Sequence, residues 1–183
     1  EQTIAGFTDF NARIQQPCGF HLDNSAALLT WNTASGSAEF RASTLPQSVL
    51  PECTRHAEQM VDQPVLLLQS LRSHDQYNTT IYGMNDRYRG ITGRRDVVFL
   101  SAEEAATRDL SQGDVVNVQA LDDSGQPCAD RIMCGLTVVI YNMALGSIGA
   151  YLPEANVLLS LDAVDTQSLT PAYKSVPVTL TKA

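Results

Sequence analysis

The sequence predicts a packed, mainly β domain with short helices and no transmembrane helix, from three observations. Short runs of apolar or β-branched residues alternate with turn signals at close spacing, a pattern typical of small β-barrels. Hydrophobic residues make up 44% of the 183 residues, which is enough for one packed domain with additional segments. The sequence has no run of about 20 apolar residues, the length of a transmembrane helix, so we expect no membrane contact.

Residues 1–63 look least like an independent domain. A short helix is predicted from a Thr8 cap to about Ile14. Further on, a Ser-Gly turn between two apolar stretches predicts a hairpin with strands at Leu28–Trp31 and Ala38–Arg41. We interpret the whole stretch as a linker or tail that belongs to the preceding part of a larger enzyme.

Residues 64–183 are predicted to form the compact domain. Its strand candidates share apolar or β-branched runs bounded by turns: Val65–Leu68, Asp96–Leu100, Val115–Leu121, Asp130–Met133, Gly135–Tyr141 and Val176–Leu180. Ser101 and Glu104 have the spacing of a capping box, which predicts a helix through Arg108. A second short helix is predicted at Pro153–Asn156, because Pro suits the first turn of a helix.

The last strand candidate contains Pro177. Because Pro cannot donate to a β-ladder, this residue argues for an edge or irregular position. We nevertheless expect the strand to close the barrel.

The net charge of −8 disfavours nucleic-acid binding, since that binding relies on a basic surface. The basic residues are nevertheless unevenly placed. Five arginines fall within one short window: Arg72, Arg87, Arg89, Arg94 and Arg95. The only lysines in the sequence are Lys174 and Lys182. Two interpretations stay open: a local basic site that holds an anionic ligand, or an arginine-rich face whose charges pair with surface carboxylates.

The four cysteines indicate reduced thiols rather than a metal centre or a disulfide framework. None of them stands in a C-x-x-C arrangement, and the three histidines also lack metal-ligand spacing. We therefore expect no zinc or iron–sulfur site within this chain, and a cytoplasmic location. The chain begins with Glu1 rather than Met, which suggests a piece of a longer protein.

The segment that follows the first strand candidate is unusual in composition. From Arg72 to Thr80, all nine side chains can donate or accept a hydrogen bond. An ordinary surface loop is dominated by Gly, Pro, Ser and Asp, whereas this one carries Arg, His, Gln, Tyr, Asn and Thr. That inventory suits a large polar ligand, and a solvated loop is the alternative.

This segment, RSHDQYNTTIYG followed by NDRYRGI, resembles the start of the C-terminal domain of formate dehydrogenase-like molybdopterin oxidoreductases, the alpha subunit family. A second resembling stretch comprises Tyr151–Asn156 and Ser168–Lys174. In that family a small-residue turn follows the preceding strand, and Gly146–Tyr151 fits that role. The order strand, short helix, L-x-x-G-D and strand also resembles half of a double-psi β-barrel of the aspartate decarboxylase-like class.

The resemblance implies that the domain holds bis-molybdopterin guanine dinucleotide with molybdenum. The family's catalytic metal ligand and its four-iron four-sulfur cluster belong to earlier domains, so no catalytic residue is expected in this chain. The expected partners are those preceding domains of the same polypeptide and a small-molecule substrate, with formate the family's best-known one. The residues implied to contact the cofactor are Arg72, Ser73, His74, Gln76, Tyr77, Asn78, Thr79, Thr80, Asn156, Tyr173 and Lys174.

We expect Arg72 and Lys174 to converge on one arm of the cofactor, although they come from opposite ends of the barrel sequence. Two alternative functions remain. One is a non-enzymatic double-psi barrel that binds protein partners. The other is a self-processing decarboxylase, which needs a Gly-Ser cleavage site, and the only such pairs are Gly36–Ser37 and Gly146–Ser147.

Overall fold

The computed structural model describes residues 3–42, 44–45, 64–76, 83–165 and 168–183. The chain divides into two compact units, Glu1–Pro46 and Gln47–Ala183. The predicted boundary between residues 63 and 64 adjoins a stretch outside the described residues and stays a prediction. In the described part of the chain, no helix is long and apolar enough to cross a bilayer.

The first unit contains two one-turn helices, α1 (Phe10–Arg13) and α2 (Ser25–Leu28). An aromatic cluster surrounds α1, in which the rings of Phe7 and Phe10 stack at 5.3 Å and both meet Phe20 edge-on. The guanidinium of Arg13 lies 3.9 Å from the centre of the Phe20 ring, a cation–π contact.

Two predictions for this unit are wrong. The residue that precedes α1 is Asp9, not Thr8, and no side chain caps the helix. The predicted hairpin is a turn without strands: Thr33 Oγ1 donates to the Ser37 carbonyl at 2.7 Å. The first predicted strand is replaced at Leu28 by the end of α2. Asn24 begins that helix because its side chain accepts from two backbone amides.

The second unit is mainly β with short helices, as predicted. Its strands are β1 (Leu66–Leu71), β2 (Asn85–Asp86), β3 (Ile91–Thr92), β4 (Val97–Leu100), β5 (Val115–Leu121), β6 (Pro127–Ile140), β7 (Ser147–Tyr151) and β8 (Lys174–Lys182). In the described residues of this unit, the helices are α3 (Ala102–Thr107) and a 3₁₀ helix, Glu154–Leu158. Six strands form a closed barrel in the order β1-β7-β4-β6-β5-β8, and β8 pairs back to β1. The pairs β1–β7 and β4–β6 are parallel, whereas β2 and β3 form a separate small sheet.

The barrel interior is filled by aliphatic side chains from every barrel strand. In β1 the buried residues alternate, with Leu66 and Leu68 fully buried, as expected for a strand with one face on the core. In β4 all four residues are buried, because this strand has packed neighbours on both faces. Full burial of each such side chain contributes about 1.5–3 kcal/mol to stability.

Helix α3 begins as predicted, but only half of the capping box forms. Ser101 Oγ accepts from the Glu104 amide at 3.0 Å. The Glu104 carboxylate does not turn back to Ser101. It pairs with Arg108 at 2.9 Å and accepts from the Gly146 amide at 2.8 Å, so it ties α3 to the turn before β7.

Two predicted boundaries near the end of the barrel are wrong. The separate strands predicted at Asp130–Met133 and Gly135–Tyr141 are one long strand, β6, which bulges opposite β5 and has Gly135 at φ +73°. The small residues of Gly146–Tyr151 form a turn only at the start. The rest is the buried strand β7, which pairs in parallel with β1.

Pro177 lies within β8, opposite Leu67 of β1. Its position is irregular rather than at an edge, because β8 has a partner strand on each side. The pairs with β5 end at Val178, just before Pro177 is reached, and the register with β1 shifts between Val176 and Lys174. A residue without an N–H group is tolerated where a ladder is interrupted in this way.

Candidate functional site

The polar segment after β1 begins with a tight turn that is fixed by its own side chains. Both the amide and the hydroxyl of Ser73 donate to Gln76 Oε1, at 3.1 and 3.2 Å. Gln76 Nε2 donates to the Leu152 carbonyl at 2.7 Å, which attaches the turn to the residue after β7. Asp75 accommodates the turn with φ +63°. Ser73 and Gln76 are buried, so their hydrogen-bonding groups shape the loop.

Arg95 lies beneath this turn and connects it to the 3₁₀ helix. Its guanidinium donates to Ser73 Oγ and to the Leu152 carbonyl, each at 2.8 Å, and pairs with Glu154 at 2.6 Å. The guanidinium carbon also lies 4.5 Å from the centre of the Tyr151 ring. The Arg95 side chain is only 6% exposed. Its charge is therefore neutralised inside the protein, and its part is to hold the turn in place.

His74 lies between two charged residues. Its Nδ1 is 2.9 Å from Asp75 Oδ2, and its Nε2 is 2.9 Å from Arg87 Nη2. The same Arg87 Nη2 is also 3.3 Å from Nδ1, so the guanidinium lies beside the imidazole ring. The Tyr88 ring covers the imidazole edge-on at 4.5 Å. His74 is thus held at the edge of the loop by neighbours on the chain itself.

A second buried cluster surrounds Asp86, at the end of β2. The Asp86 carboxylate accepts from the Tyr151 hydroxyl and from Arg89 Nη1, each at 2.7 Å. Burial alone would raise the pKa of Asp86, but the hydrogen bonds from Tyr151 and Arg89 and the charge of Arg89 hold it below its ordinary value. Burial, followed by the bond to Asp86, raises the pKa of Tyr151, so its hydroxyl stays a neutral donor.

Arg72 and Lys174 line the same cavity, of about 440 Å³, together with Tyr173 and the backbone around Ser70. The Lys174 ammonium turns back onto the Ser70 carbonyl, to which it donates a hydrogen bond. Burial lowers the pKa of Lys174, and the positive charge of Arg72 lowers it further. The Arg72 guanidinium makes no hydrogen bond or ion pair with the residues that the structure describes. Two cations therefore face one cavity without a carboxylate between them.

An adjoining cavity of about 420 Å³ extends this site. It is lined by Arg72 and Tyr173 again, and by Asn156 from the exposed side of the 3₁₀ helix. The Tyr173 carbonyl accepts from Ser70 Oγ at 2.8 Å, which holds the loop before β8 against β1. The two cavities share Arg72, Leu152 and Tyr173 in their linings, and together they are called the groove below. Four of the residues implied by the resemblance thus come together: Arg72, Asn156, Tyr173 and Lys174.

The remaining implied residues fall into two groups. The buried turn and its edge contain Ser73, His74 and Gln76, which lie beside the groove but face protein partners; their role as cofactor contacts stays a prediction. Tyr77, Asn78, Thr79 and Thr80 lie outside the described residues.

The five arginines of the window between Arg72 and Arg95 do not all have the same role: some pair with carboxylates, and Arg72 faces the groove. Ion pairs with carboxylates are made by three of its members: Arg89 with Asp86, Arg94 with Asp96, and Arg95 with Glu154. A more open cavity of about 770 Å³ is lined by two of these neutralised arginines, Arg94 and Arg95. The groove is the stronger candidate for an anion because its two cations are not paired in this way.

The structure also assigns residues that sequence reasoning missed. The two clusters that support the turn are formed by Asp86, Arg89, Arg95, Tyr151 and Glu154. None of them was named as a cofactor contact, although Arg89 and Arg95 belong to the arginine window. The available signal was the placement of charges next to apolar runs, as in Arg95 shortly before β4. Among the described residues, no group of three His, Cys, Asp or Glu side chains is arranged to hold a metal ion.

Comparison with known proteins gives concordant matches. The sequence model of the family described as "Molydopterin dinucleotide binding domain" matches residues 66–177. Protein YdeP of Escherichia coli (strain K12) is 46% identical over 180 residues, which cover 98% of this chain and 22% of the relative. Uncharacterized oxidoreductase Rv2900c of Mycobacterium tuberculosis is 37% identical over 179 residues, which cover 97% of this chain and 22% of the relative. The chain thus spans about a fifth of the length of the curated relatives that it matches.

Proposed function

The chain belongs to the family of molybdopterin dinucleotide-binding domains, and on that basis we propose that it holds bis-molybdopterin guanine dinucleotide within a molybdenum-dependent oxidoreductase resembling formate dehydrogenase. The name of the mycobacterial relative, an oxidoreductase, supports this class of enzyme. The chain is then the cofactor-holding part of a longer polypeptide. The remaining domains supply the metal ligand, the iron–sulfur cluster and much of the cofactor's surroundings.

The observation that carries the proposal is the cation pair in the groove. A dinucleotide cofactor brings pyrophosphate groups, and Arg72 can donate a forked, charge-assisted hydrogen bond to phosphate oxygens. Lys174 lines the same cavity and adds a second donor. Burial and like charge lower the pKa of Lys174, and a bound phosphate would relieve both effects. These residues therefore fit an anionic ligand better than a neutral one.

The other groove residues fit the remaining parts of such a cofactor. Tyr173 presents a partly buried ring, which can pack against a flat heterocycle. Asn156 is exposed at the rim and offers one donor and one acceptor to the edge of a pterin or base. Arg95 and Glu154 keep the adjacent turn rigid, so the groove keeps its shape without the ligand.

We further propose that the barrel is of the double-psi type. Support comes from its closed ring of six strands and from its two parallel pairs, β1–β7 and β4–β6, which join strands distant in sequence. In that arrangement the loop after β1 and the loop before β8 lie side by side. The cavity shared by Arg72 and Lys174 fits this proposal.

When bound, the cofactor and its metal supply the two-electron redox chemistry. The chain's own residues bind and orient it: Arg72 and Lys174 neutralise phosphate charge, and the turn at Ser73–Gln76 limits where the cofactor can lie. The substrate is a small molecule that reacts at the metal, and formate is the candidate from the family resemblance.

Analysis of the purified complete polypeptide tests the proposed function. After acid release, we expect pterin and guanine nucleotide in equal amounts, together with molybdenum by elemental analysis. Pterin without a guanine nucleotide would contradict the dinucleotide assignment. Absence of both, with a protein partner copurifying in a fixed ratio, would instead favour the protein-binding alternative.

A further inference from the structure

Asp86 lies at the centre of a buried cluster whose members do not line the groove. Its Oδ2 accepts from the Tyr151 hydroxyl and from Arg89 Nη1, each at 2.7 Å. The Asp86 side chain is 2% exposed and that of Arg89 18%. Tyr151 packs edge-on against Phe99, and the Arg89 guanidinium carbon lies 5.8 Å from the centre of the same ring. A charged pair is therefore set against an apolar cluster.

Such a pair contributes little to stability by itself. Removing two charges from water is costly, and apolar residues of similar volume are often neutral or stabilising in their place. Among the described residues, the buried Nε of Arg89 also has no hydrogen-bond partner. The guanidinium is thus not placed to satisfy all of its own donors. A charged pair can hold a hydrogen-bond donor in a fixed position, which an apolar pair cannot do.

Here the donor is Arg89 Nη1, and it contacts the backbone carbonyl of Arg72. The same Arg89 Nη1 that meets Asp86 also donates to the Arg72 carbonyl, at 3.1 Å. The backbone N–H of His74 contributes, as the smallest of several causes, to the lowered pKa of the same carboxylate. The bond from Arg89 holds the backbone at Arg72, from which the Arg72 side chain enters the groove.

We propose that Asp86 and Arg89, held by Tyr151, are positioning residues that orient Arg72 toward the cofactor's phosphates. This inference rests on the proposed function, because it requires Arg72 to contact the ligand. Asp86 and Arg89 themselves do not touch the cofactor. They act through the Arg72 backbone.

The barrel contains a matched control for this cluster. Glu104 and Arg108 also form a buried pair, with side chains 6% and 7% exposed and a separation of 2.9 Å. Arg108 also donates to a backbone carbonyl, that of Pro64, at 2.8 Å. Pro64 precedes β1, whereas Arg72 follows it. Arg108→Met therefore removes the same kind of interaction as Arg89→Met, but at the other end of the strand.

A double-mutant cycle in the complete polypeptide tests the proposal. The measured quantity is the pterin retained per polypeptide after dialysis, read from the fluorescence of the released, oxidised pterin. Arg89→Met alone is expected to lower it about fivefold to tenfold. In an Arg72→Ala background the further loss should stay below about twofold, because the residue that Arg89 positions is gone. Any loss caused by Arg108→Met should be the same factor in both backgrounds.

Tyr151→Phe provides a milder version of the same comparison. It removes one hydroxyl and keeps the ring, so it remains informative if Arg89→Met does not fold. We expect a loss of about twofold to threefold alone and none in the Arg72→Ala background. If the loss factors of the two single variants multiply in full in the double variant, the positioning role is wrong and the proposed function is unaffected. If Arg72→Ala itself retains the wild-type amount of pterin, both proposals are wrong.

Discussion

Lys174 lies in the same cavity as Arg72, and its ammonium group donates to the carbonyl of Ser70. Burial, and then the charge of Arg72, lower the pKa of Lys174. Two like charges held close together raise each other's energy, and here the described residues place no carboxylate between them. A bound phosphate would remove that penalty. This electrostatic arrangement supports the proposal that the groove binds an anion.

The first prediction concerns the pH dependence of anion binding at Lys174. Because its pKa lies below the ordinary 10.5 in the free protein, Lys174 must take up a proton to bind an anion at alkaline pH. Affinity for inorganic pyrophosphate, measured by calorimetry on the cofactor-free complete polypeptide, should fall as pH rises toward 10.5. Lys174→Arg should weaken that fall, since a guanidinium stays charged. Identical pH profiles for the two proteins would contradict this prediction.

The second prediction concerns acid stability and Asp86. Its pKa is held below the ordinary 3.8 in the folded protein, so Asp86 contributes stability above that pH. The contribution is lost as pH falls through the lowered, folded-state pKa. The difference in unfolding free energy between wild type and Asp86→Asn should be largest near neutral pH and should shrink below 3.8, as measured by urea denaturation. A difference that stays constant through this range would show that the carboxylate charge is not responsible.

The third prediction concerns the barrel core. Leu68 is fully buried in β1, and Leu68→Ala should lower the unfolding free energy by about 2–5 kcal/mol. Leu161 is 98% exposed, so Leu161→Ala serves as the control and should change it by less than about 0.5 kcal/mol. Both are measured by chemical denaturation. Equal costs for the two variants would contradict the assigned burial.

The strands of the barrel were predictable where burial is periodic or continuous. The run Val115–Leu121 was predicted with its observed bounds, because β-branched residues followed a turn that Gly113 allows at φ +91°. Strand β7 was predicted as a turn because its small residues fit the small-residue turn that the family resemblance implies here. At Gly149 a small residue is required by close packing between strands, because a Cβ there would lie 2.7 Å from Leu71 Cδ1.

The location of the candidate site was predictable in part, while its role as a site stays a prediction. Arg72, Asn156, Tyr173 and Lys174 followed from the family resemblance, and the structure brings them to one groove. The internal ion pairs of Arg89 and Arg95 were not predicted, because sequence alone does not distinguish a solvated arginine from one paired inside the fold. Arg94 and Arg95 are adjacent, yet the Arg94 side chain is 43% exposed and that of Arg95 6%. Arg95 differs from Arg94 because it packs against Tyr151 and bonds to Ser73, Leu152 and Glu154, contacts that the sequence does not reveal.

Lys182 and Arg94 are suitable control residues for Lys174 and Arg72. Arg131 lies outside the resembling segments, but it lines a cavity that also contains Lys174, so it is a poor control. Lys182 is better because it lies at the other end of β8 and pairs with Asp114 at 3.3 Å. Arg94, exposed and paired with Asp96, is the corresponding control for Arg72.

The most direct measurement of the central claim is the cofactor content of four variants of the complete polypeptide. Loss of one charge-assisted hydrogen bond costs about 1.5–3 kcal/mol, or roughly tenfold or more in affinity. Arg72→Ala and Lys174→Ala should therefore each lower the pterin and molybdenum retained after dialysis, with unchanged unfolding transitions. Arg94→Ala and Lys182→Ala should retain wild-type amounts. Full cofactor content in both Arg72→Ala and Lys174→Ala would contradict the account.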